Sequence, residues 1–543
     1  MRADFVNRAG RAWRTLIGAA MVSLALCGVP AWALPDEAEV AETLRRSVEQ
    51  LRSTGEATIA GRRLLSARAL PEIYETRGFR RLWNDPVNEE ALLGEIAAAS
   101  GDGLHPSDYH FDAIRAALER RKQAPDSATA AATVDLLLTD ALLRLAAHLH
   151  FGKLDAATGQ PRWDLDGMIR GEPAATVVTR IAVGSAVAPQ LGELRPVQPL
   201  YGRFKSALAR YRVIEEEGGW EPLPAGRVLE VGMDDPRVRI LRRRLVQSGD
   251  FPGIALDSAR FEPALADAVR RFQARHQLTP DGLIGPATLA ALNRPIEELI
   301  GQLRVNLERA RWLLSEVRGR FLLVDPAGER VLLMDNSRLV LVQGASFAAA
   351  TRSVDTFRAE LRYLVVHPDL VLPPRLVEAQ VAPLARRDPG QLEARGLQVF
   401  NAAAEPVDAA RANWSRPAAL VVRQLPGPRS FLGTLRFAMP NADQVFLHGG
   451  PVEGEALPGS IRLEAPEALA VALSDPPSSW SGESLAAALA AGIPRTLPLG
   501  RSIPVLYGPW SAWVDADGTV SFRRGYEQQD AAIIAGLQRG TGR

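Results

Sequence analysis

Cysteine is nearly absent: of 543 residues, Cys27 is the only one. That excludes structural disulfides and cysteine-based zinc sites from everything downstream. Lysine occurs only at Lys122, Lys153 and Lys205, so the C-terminal half has no lysine base, Schiff-base amine or Ser-x-x-Lys nucleophile. A surplus of one charge sign is also missing. Lys+Arg is 64 against Asp+Glu 63, and removing the first 33 residues, with four Arg and one Asp, moves the net charge from +1 to −2. Charge-driven nucleic-acid binding is thereby excluded. No Walker-type glycine loop and no Gly-x-Ser-x-Gly elbow occur. What is abundant is apolar sequence: 47% hydrophobic residues are enough for several cored domains.

Arg2, Arg8, Arg11 and Arg14 precede an uncharged apolar run, Leu16 to Val29, and then Ala31-Trp32-Ala33. Small residues at the two positions read by signal peptidase predict an export signal (residues 1–33) cleaved after Ala33. The run is shorter than the about 20 residues of a spanning helix, although an uncleaved anchor is the alternative. Leu26 is too large for a lipoprotein site at Cys27. The mature chain is expected in the periplasm, meeting a membrane only if the signal stays attached.

Helical spacing at Leu44, Val48 and Leu51, and again from Leu136 to Leu145, predicts an α-helical domain over 34–222. A Gly- and Pro-bearing linker leads to a compact unit, 227–294, with helices around Val238 to Leu245, Ala268 to His276 and after Pro286. From Val305 onward, short β-rich runs such as Phe321-Leu322-Leu323-Val324 and Val331-Leu332-Leu333-Met334 alternate with turn signals. Helical spacing from Pro373 interrupts them. The expectation is a multidomain α+β chain. Its mainly β domain, 304–475, carries a helical insertion at about 373–415, and a C-terminal segment, 476–543, closes in hairpins around Asp515-Ala516-Asp517-Gly518.

The unit at 227–294 resembles the three-helix peptidoglycan-binding module through Val238, Leu241, Leu245, Phe272-Gln273, His276, Leu278, Asp281-Gly282, Gly285, Thr288 and Leu289. The β-rich region resembles the catalytic domain of L,D-transpeptidases, and the layout resembles their large periplasmic branch. The opening run Val305 to Leu313 carries the likeness, with Tyr363 to Pro368, Leu372-Pro373-Pro374, Pro426-Gly427-Pro428, Pro440-Asn441 and Val445-Phe446-Leu447-His448. Weaker matches lie in the helical domain, at Tyr74, Trp83, Gly103-Leu104, Tyr109, Thr139-Asp140-Ala141 and Gly152.

The resemblance implies a histidine base, a Ser-His-Gly-Cys motif, and cysteine attack on stem tetrapeptides with backbone N–H groups holding the oxyanion. Ile461-Arg462-Leu463-Glu464 fixes the register, placing Ser460 at the nucleophile position, Pro458 at the motif histidine and Leu457 at its serine. His448 falls at the base position, and Gly459 and Arg462 are the candidate substrate contacts. The intervening loop is shorter than the family's. No metal and no cofactor are expected. Peptidoglycan stem peptides and glycan are the expected partners, with protein partners unspecified.

Three functions fit: a catalytically impaired wall-binding protein, a serine transpeptidase or carboxypeptidase using Ser460 and His448, or a partner-binding scaffold without wall contact. An alkoxide needs an aligned base and usually an orienting third group, and no Asp or Lys is evident for that role.

Other features receive structural readings. His148 and His150 point to different faces of a helix, Arg242-Arg243-Arg244 forms a solvated helix face, His276 is a surface or core histidine, and Trp510 and Trp513 are core or sheet-face aromatics.

Overall fold

The computed structural model describes residues 35–163, 167–252, 257–450, 457–474 and 480–540. The expected export signal lies outside these residues. No described helix is long and apolar enough to cross a membrane.

The N-terminal part is helical as expected, built around α1 (Ala128–Phe151). This helix is buried over nearly its whole length, so it must satisfy its polar side chains internally. Asp135 accepts from Tyr74 Oη at 2.6 Å and from the Trp83 N–H at 2.9 Å, while Trp83 Nε1 donates to Thr139 Oγ1 at 3.1 Å. Asp140 holds Arg144 at 2.7 Å and His110 at 2.8 Å. His148 is bonded to Tyr109 and to the Arg162 carbonyl, and His150 pairs with Glu316, so both histidines are buried structural groups.

That core ends near Leu194. Helix α2 (Pro199–Glu216), expected with the helical domain, instead packs into a second core with the C-terminal half.

Three helices, α3 (Arg237–Gln247), α4 (Pro263–Arg275) and α5 (Pro286–Leu292), enclose a small core of Val238, Leu241, Leu245, Val269 and Phe272. Gln273 explains the surrounding motif. Its Nε2 donates to Asp281, the Leu283 carbonyl and Thr288, and its Oε1 accepts from the N–H of Gly282, whose φ of +80° favours glycine. The arginine triplet is not a solvated face. Arg242 is buried against Glu262 at 2.7 Å, and Arg244 lies 3.5 Å over the Trp220 ring and donates to the Leu292 carbonyl; only Arg243 points outward. Successive helical residues turn by about 100°, so Arg242 and Arg244 stand about 200° apart, one on each flank of outward-facing Arg243, and both reach the core side.

Helix α6 (Ile296–Leu314) joins the module to a closed eight-stranded barrel. Its strands are β1 (Arg320–Asp325), β2 (Arg330–Asp335), β3 (Arg338–Phe347), β4 (Phe357–Val366), β5 (Leu435–Ala438), β6 (Phe446–His448), β7 (Ser460–Leu463) and β8 (Arg495–Tyr507), in the order β5-β6-β7-β3-β2-β1-β8-β4. Strand β1 lacks polar alternation because both faces are covered: Leu322 and Val324 face the barrel core, while Phe321 and Leu323 pack with α2 and α6.

Two boundaries differ from expectation. The segment 476–543 is not separate from the β domain, since β8 pairs with both β1 and β4 and closes the barrel. Beyond it, β9 (Ala512–Val514) and β10 (Val520–Phe522) form the expected hairpin, and α7 (Glu527–Gln538) follows. The insertion is only half helical. Leu370–Val371, Leu397–Phe400, Pro406–Val407 and Val421–Gln424 form their own four-stranded sheet around Val399, Trp414 and Val422. The runs are too short to show a period in sequence.

Beyond the exposed Glu297 and Glu298, helix α6 is buried over most of its surface. Glu308 pairs with Arg311 and accepts from the Leu154 N–H at 2.6 Å, Arg309 pairs with Asp530 on α7 at 2.8 Å, and Trp312 Nε1 donates to the Leu154 carbonyl at 2.9 Å. Arg311 also reaches the Asp102 carbonyl at 2.7 Å. Gly152 has φ +91°, and a Cβ there would sit 2.7 Å from both Glu308 Oε1 and Trp312 Nε1. Replacing Glu308 by Ala takes from buried Arg311 its carboxylate partner and leaves the Leu154 N–H without its acceptor, a loss of about 3–5 kcal/mol. The variant should melt well below the wild type in a calorimetric scan; an unchanged melting temperature contradicts this.

Candidate functional site

The parallel pair β6 and β7 places the candidate residues on one face. Leu447, Ile461 and Leu463 enter the barrel core, so by strand alternation Phe446, His448, Ser460 and Arg462 lie on the outside. The register sets Ser460 beside Phe446 and Arg462 beside His448. His448 and Ser460 are therefore on the same face but two residues apart along the strands, not directly opposite. On the other side β5 brings Arg436 opposite His448.

His448 is 2% exposed. Its ring stacks on Phe431 at 5.1 Å and tilts against Phe446 at 5.7 Å. Nδ1 accepts the Gly450 N–H at 3.1 Å, and Nε2 is buried with no hydrogen-bond partner among the described residues. Burial, with Arg462 and Arg436 on either side, pushes its pKa down to about 4. At neutral pH the imidazole is uncharged with Nδ1 already used, so its proton is on Nε2.

Ser460 is equally buried. Its N–H donates to the Leu457 carbonyl at 2.9 Å, closing a turn, and its carbonyl accepts from the Ala348 N–H and from Thr351 Oγ1, both at 3.3 Å. The N–H expected to hold an oxyanion is thus engaged within the chain. Gly459, at φ +83°, lies so close to the Gln444 carbonyl that a Cβ would collide with it. Arg462 is half-buried, and its Nη2 donates to Ser346 Oγ at 2.8 Å. Asn441 braces the entry to β6, with its Oδ1 accepting from the Val445 N–H and its Nδ2 donating to the Val445 carbonyl.

Sequence reasoning named His448, Ser460, Gly459 and Arg462, and the structure gathers them on one patch. It missed Phe431, Gly450, Arg436 and Ser346, which set the environment of that patch. Only Gly449-Gly450 directly after His448 hinted at a close backbone approach: a Cβ on Gly450 would collide with the Phe431 carbonyl.

Residues 68–208 match a family model described as "Scaffold domain", and residues 234–292 match one described as "Putative peptidoglycan binding domain". Beyond these two matches, the chain is similar over part of its length to a curated L,D-transpeptidase. Over 240 residues, it is 25% identical to a "Putative L,D-transpeptidase" of Haemophilus influenzae, covering 42% of this chain and 48% of that protein. The chain thus spans about half the length of that curated relative. A crystal structure of an L,D-transpeptidase from Xylanimonas cellulosilytica matches at 18% identity, covering 53% of this chain and all of that one, but its TM-score of 0.16 carries no argument.

The depressed pKa of His448 has a consequence for stability. Its folded value, about 4, lies below the ordinary histidine value of about 6.5, so the unfolded chain binds the proton first. The stabilisation is complete above about pH 6.5 and is lost as pH falls through 4. Denaturant unfolding between pH 7 and 4 should show a steeper loss for the wild type than for His448→Gln; parallel profiles contradict the assignment.

Proposed function

We propose that the protein is an exported, wall-associated relative of the L,D-transpeptidases that binds and organises peptidoglycan without forming L,D cross-links by itself. In this reading 1–33 is the cleaved signal, 227–294 contacts the wall, and the barrel keeps the family's substrate-facing patch. Ser460 occupies the nucleophile position, His448 the base position, and Gly459 and Arg462 are the substrate contacts.

The observation that carries the reading is the state of His448. A general base must take a proton onto a free nitrogen and become imidazolium in the transition state. Here Nδ1 is occupied by the Gly450 N–H and Nε2 already carries the proton. The cation that would form stands in a buried site between two arginines. Serine needs such a base far more than a thiol does, because its hydroxyl is not ionised near neutral pH. The two guanidinium groups suit a carboxylate instead, and a stem peptide ends in one.

Incubating the purified full chain with disaccharide tetrapeptides and analysing the products by mass spectrometry tests the claim. No cross-linked dimer and no release of terminal D-Ala is expected, with Ser460→Ala and His448→Ala identical to wild type. Wild-type turnover that vanishes in both variants replaces this reading with the serine-enzyme one. The wall-binding half is tested separately by sedimentation with purified sacculi. The wild-type chain should pellet with them, and a chain that stays in the supernatant contradicts wall association.

A further inference from the structure

A cleft of about 940 Å³ opens where the scaffold, the barrel and the C-terminal helix meet. The turn at 156–160, Arg309 and Trp312 of α6, the connection 352–356 between β3 and β4, and the first turns of α7 line it. That volume is near the top of the about 300–1,000 Å³ range of ligand pockets, so it admits a ligand of more than one ring. The cleft shares no lining residue with the patch around His448 and none with the three-helix module.

The cations in this lining already have partners. Arg309 pairs with Asp530 at 2.8 Å and reaches Ser511 Oγ at 3.1 Å, Arg352 pairs with Glu329 and stands against the Tyr526 hydroxyl, and Arg539 donates to Gln160 Oε1 at 2.7 Å. The acceptors are less well served. Glu527 takes the Gly525 N–H at 2.9 Å, but Asp355 is exposed and has neither ion pair nor hydrogen bond among the described residues. Gln529 Oε1 is buried and has no donor. A ligand that satisfies this lining is therefore rich in hydrogen-bond donors. An anion fails that requirement, and Asp355 and Glu527 repel it; a cation is opposed by the three guanidinium groups. What remains is a neutral molecule carrying hydroxyl and amide N–H groups. The half-buried Trp312 has its Nε1 engaged by the Leu154 carbonyl at 2.9 Å, so it offers the cleft apolar ring surface.

We propose that this cleft binds a neutral N-acetylated oligosaccharide, the chemistry of a wall glycan strand. The sugar hydroxyls and acetamido N–H groups donate to Asp355 and Gln529 Oε1, an acetamido carbonyl accepts from the Gln528 amide, and a ring face packs on Trp312. The identity of the sugar rests on the wall-associated reading given above; the demand for a neutral, donor-rich ligand does not. The cleft gives the chain a glycan contact distinct from the module at 227–294 and from the cationic patch around His448.

Isothermal titration of the purified chain with a β-1,4-linked N-acetylglucosamine tetramer tests this, with the free stem tetrapeptide as the anionic comparison. Saturable binding of the tetramer is expected, with the peptide weaker by about tenfold or more. Asp355→Ala and Gln529→Ala remove the acceptors, and Ala532→Trp fills the cleft. Each should weaken the tetramer by about tenfold or more while the melting temperature stays at the wild-type value. No saturable binding of the tetramer, or binding that all three variants leave intact, overturns the proposal. Tetrapeptide binding as tight or tighter, and lost in the same variants, overturns it in favour of an anion site. Sacculus pelleting keeps the two claims apart: a chain that pellets without binding the tetramer refutes the cleft alone, whereas one that binds the tetramer in the cleft without pelleting refutes wall association alone.

Discussion

The charged groups on the buried helix Ile296–Leu314 are the constraint on which the rest of the architecture depends. Glu308, Arg309 and Arg311 are essentially inaccessible to water, and each is matched by a partner far away in the chain: the Leu154 N–H and the Asp102 carbonyl from the scaffold, Tyr201 Oη from the helix that follows it, and Asp530 from the C-terminal helix. An ion removed from water costs several kcal/mol unless fully compensated, so the helix cannot be half-assembled. Scaffold, barrel and tail must dock together, and Gly152 leaves just the space that the indole of Trp312 and the carboxylate of Glu308 fill. The three-helix module joins the same assembly through Arg275, whose guanidinium reaches the Val520 carbonyl, and through His276, stacked between Phe272 and Phe522. The module that matches the putative peptidoglycan-binding family is thus set in a fixed relation to the barrel.

The barrel fixes the candidate site in the same way, through register. Parallel pairing of Phe446–His448 with Ser460–Leu463 sends His448, Ser460 and Arg462 to one face, and that face is closed down by Phe431 and by the glycines after His448. What remains is a histidine held neutral by burial and flanking cations, next to a serine whose backbone groups are tied into the fold. The arrangement keeps the cationic features that would recognise a carboxylate and lacks the free base nitrogen that would activate a hydroxyl.

Much of this was legible from residue pattern. Asp281-Gly282, Gln273 and Thr288 announced the three-helix module because their roles are local: one glutamine side chain ties them together across a turn. The barrel strands were readable as apolar runs between turns. What stayed hidden depends on partners distant in sequence. Nothing in Arg242, Arg244, Arg309 or Arg311 says that they are buried, since a charged residue on a helix reads as solvated until its partner is known. The four-stranded sheet of the insertion was masked by strands of two to four residues, and Arg495–Tyr507 was read as tail because the strands it joins precede it by more than a hundred residues. At the site, the residue types were visible, but the offset of Ser460 from His448 and the capping by Gly450 are matters of register and loop path, which a motif does not encode.

The central claim is that His448 is a neutral, Nε2-protonated structural imidazole and not a base paired with Ser460. With seven histidines in the chain, selective labelling of imidazole nitrogens and assignment by His448→Gln makes its ring observable by nitrogen NMR. The account predicts an unprotonated Nδ1 and a protonated Nε2, with no titration between pH 8 and 5. A ring that charges near pH 6.5 to 7, or that carries its proton on Nδ1, would contradict it.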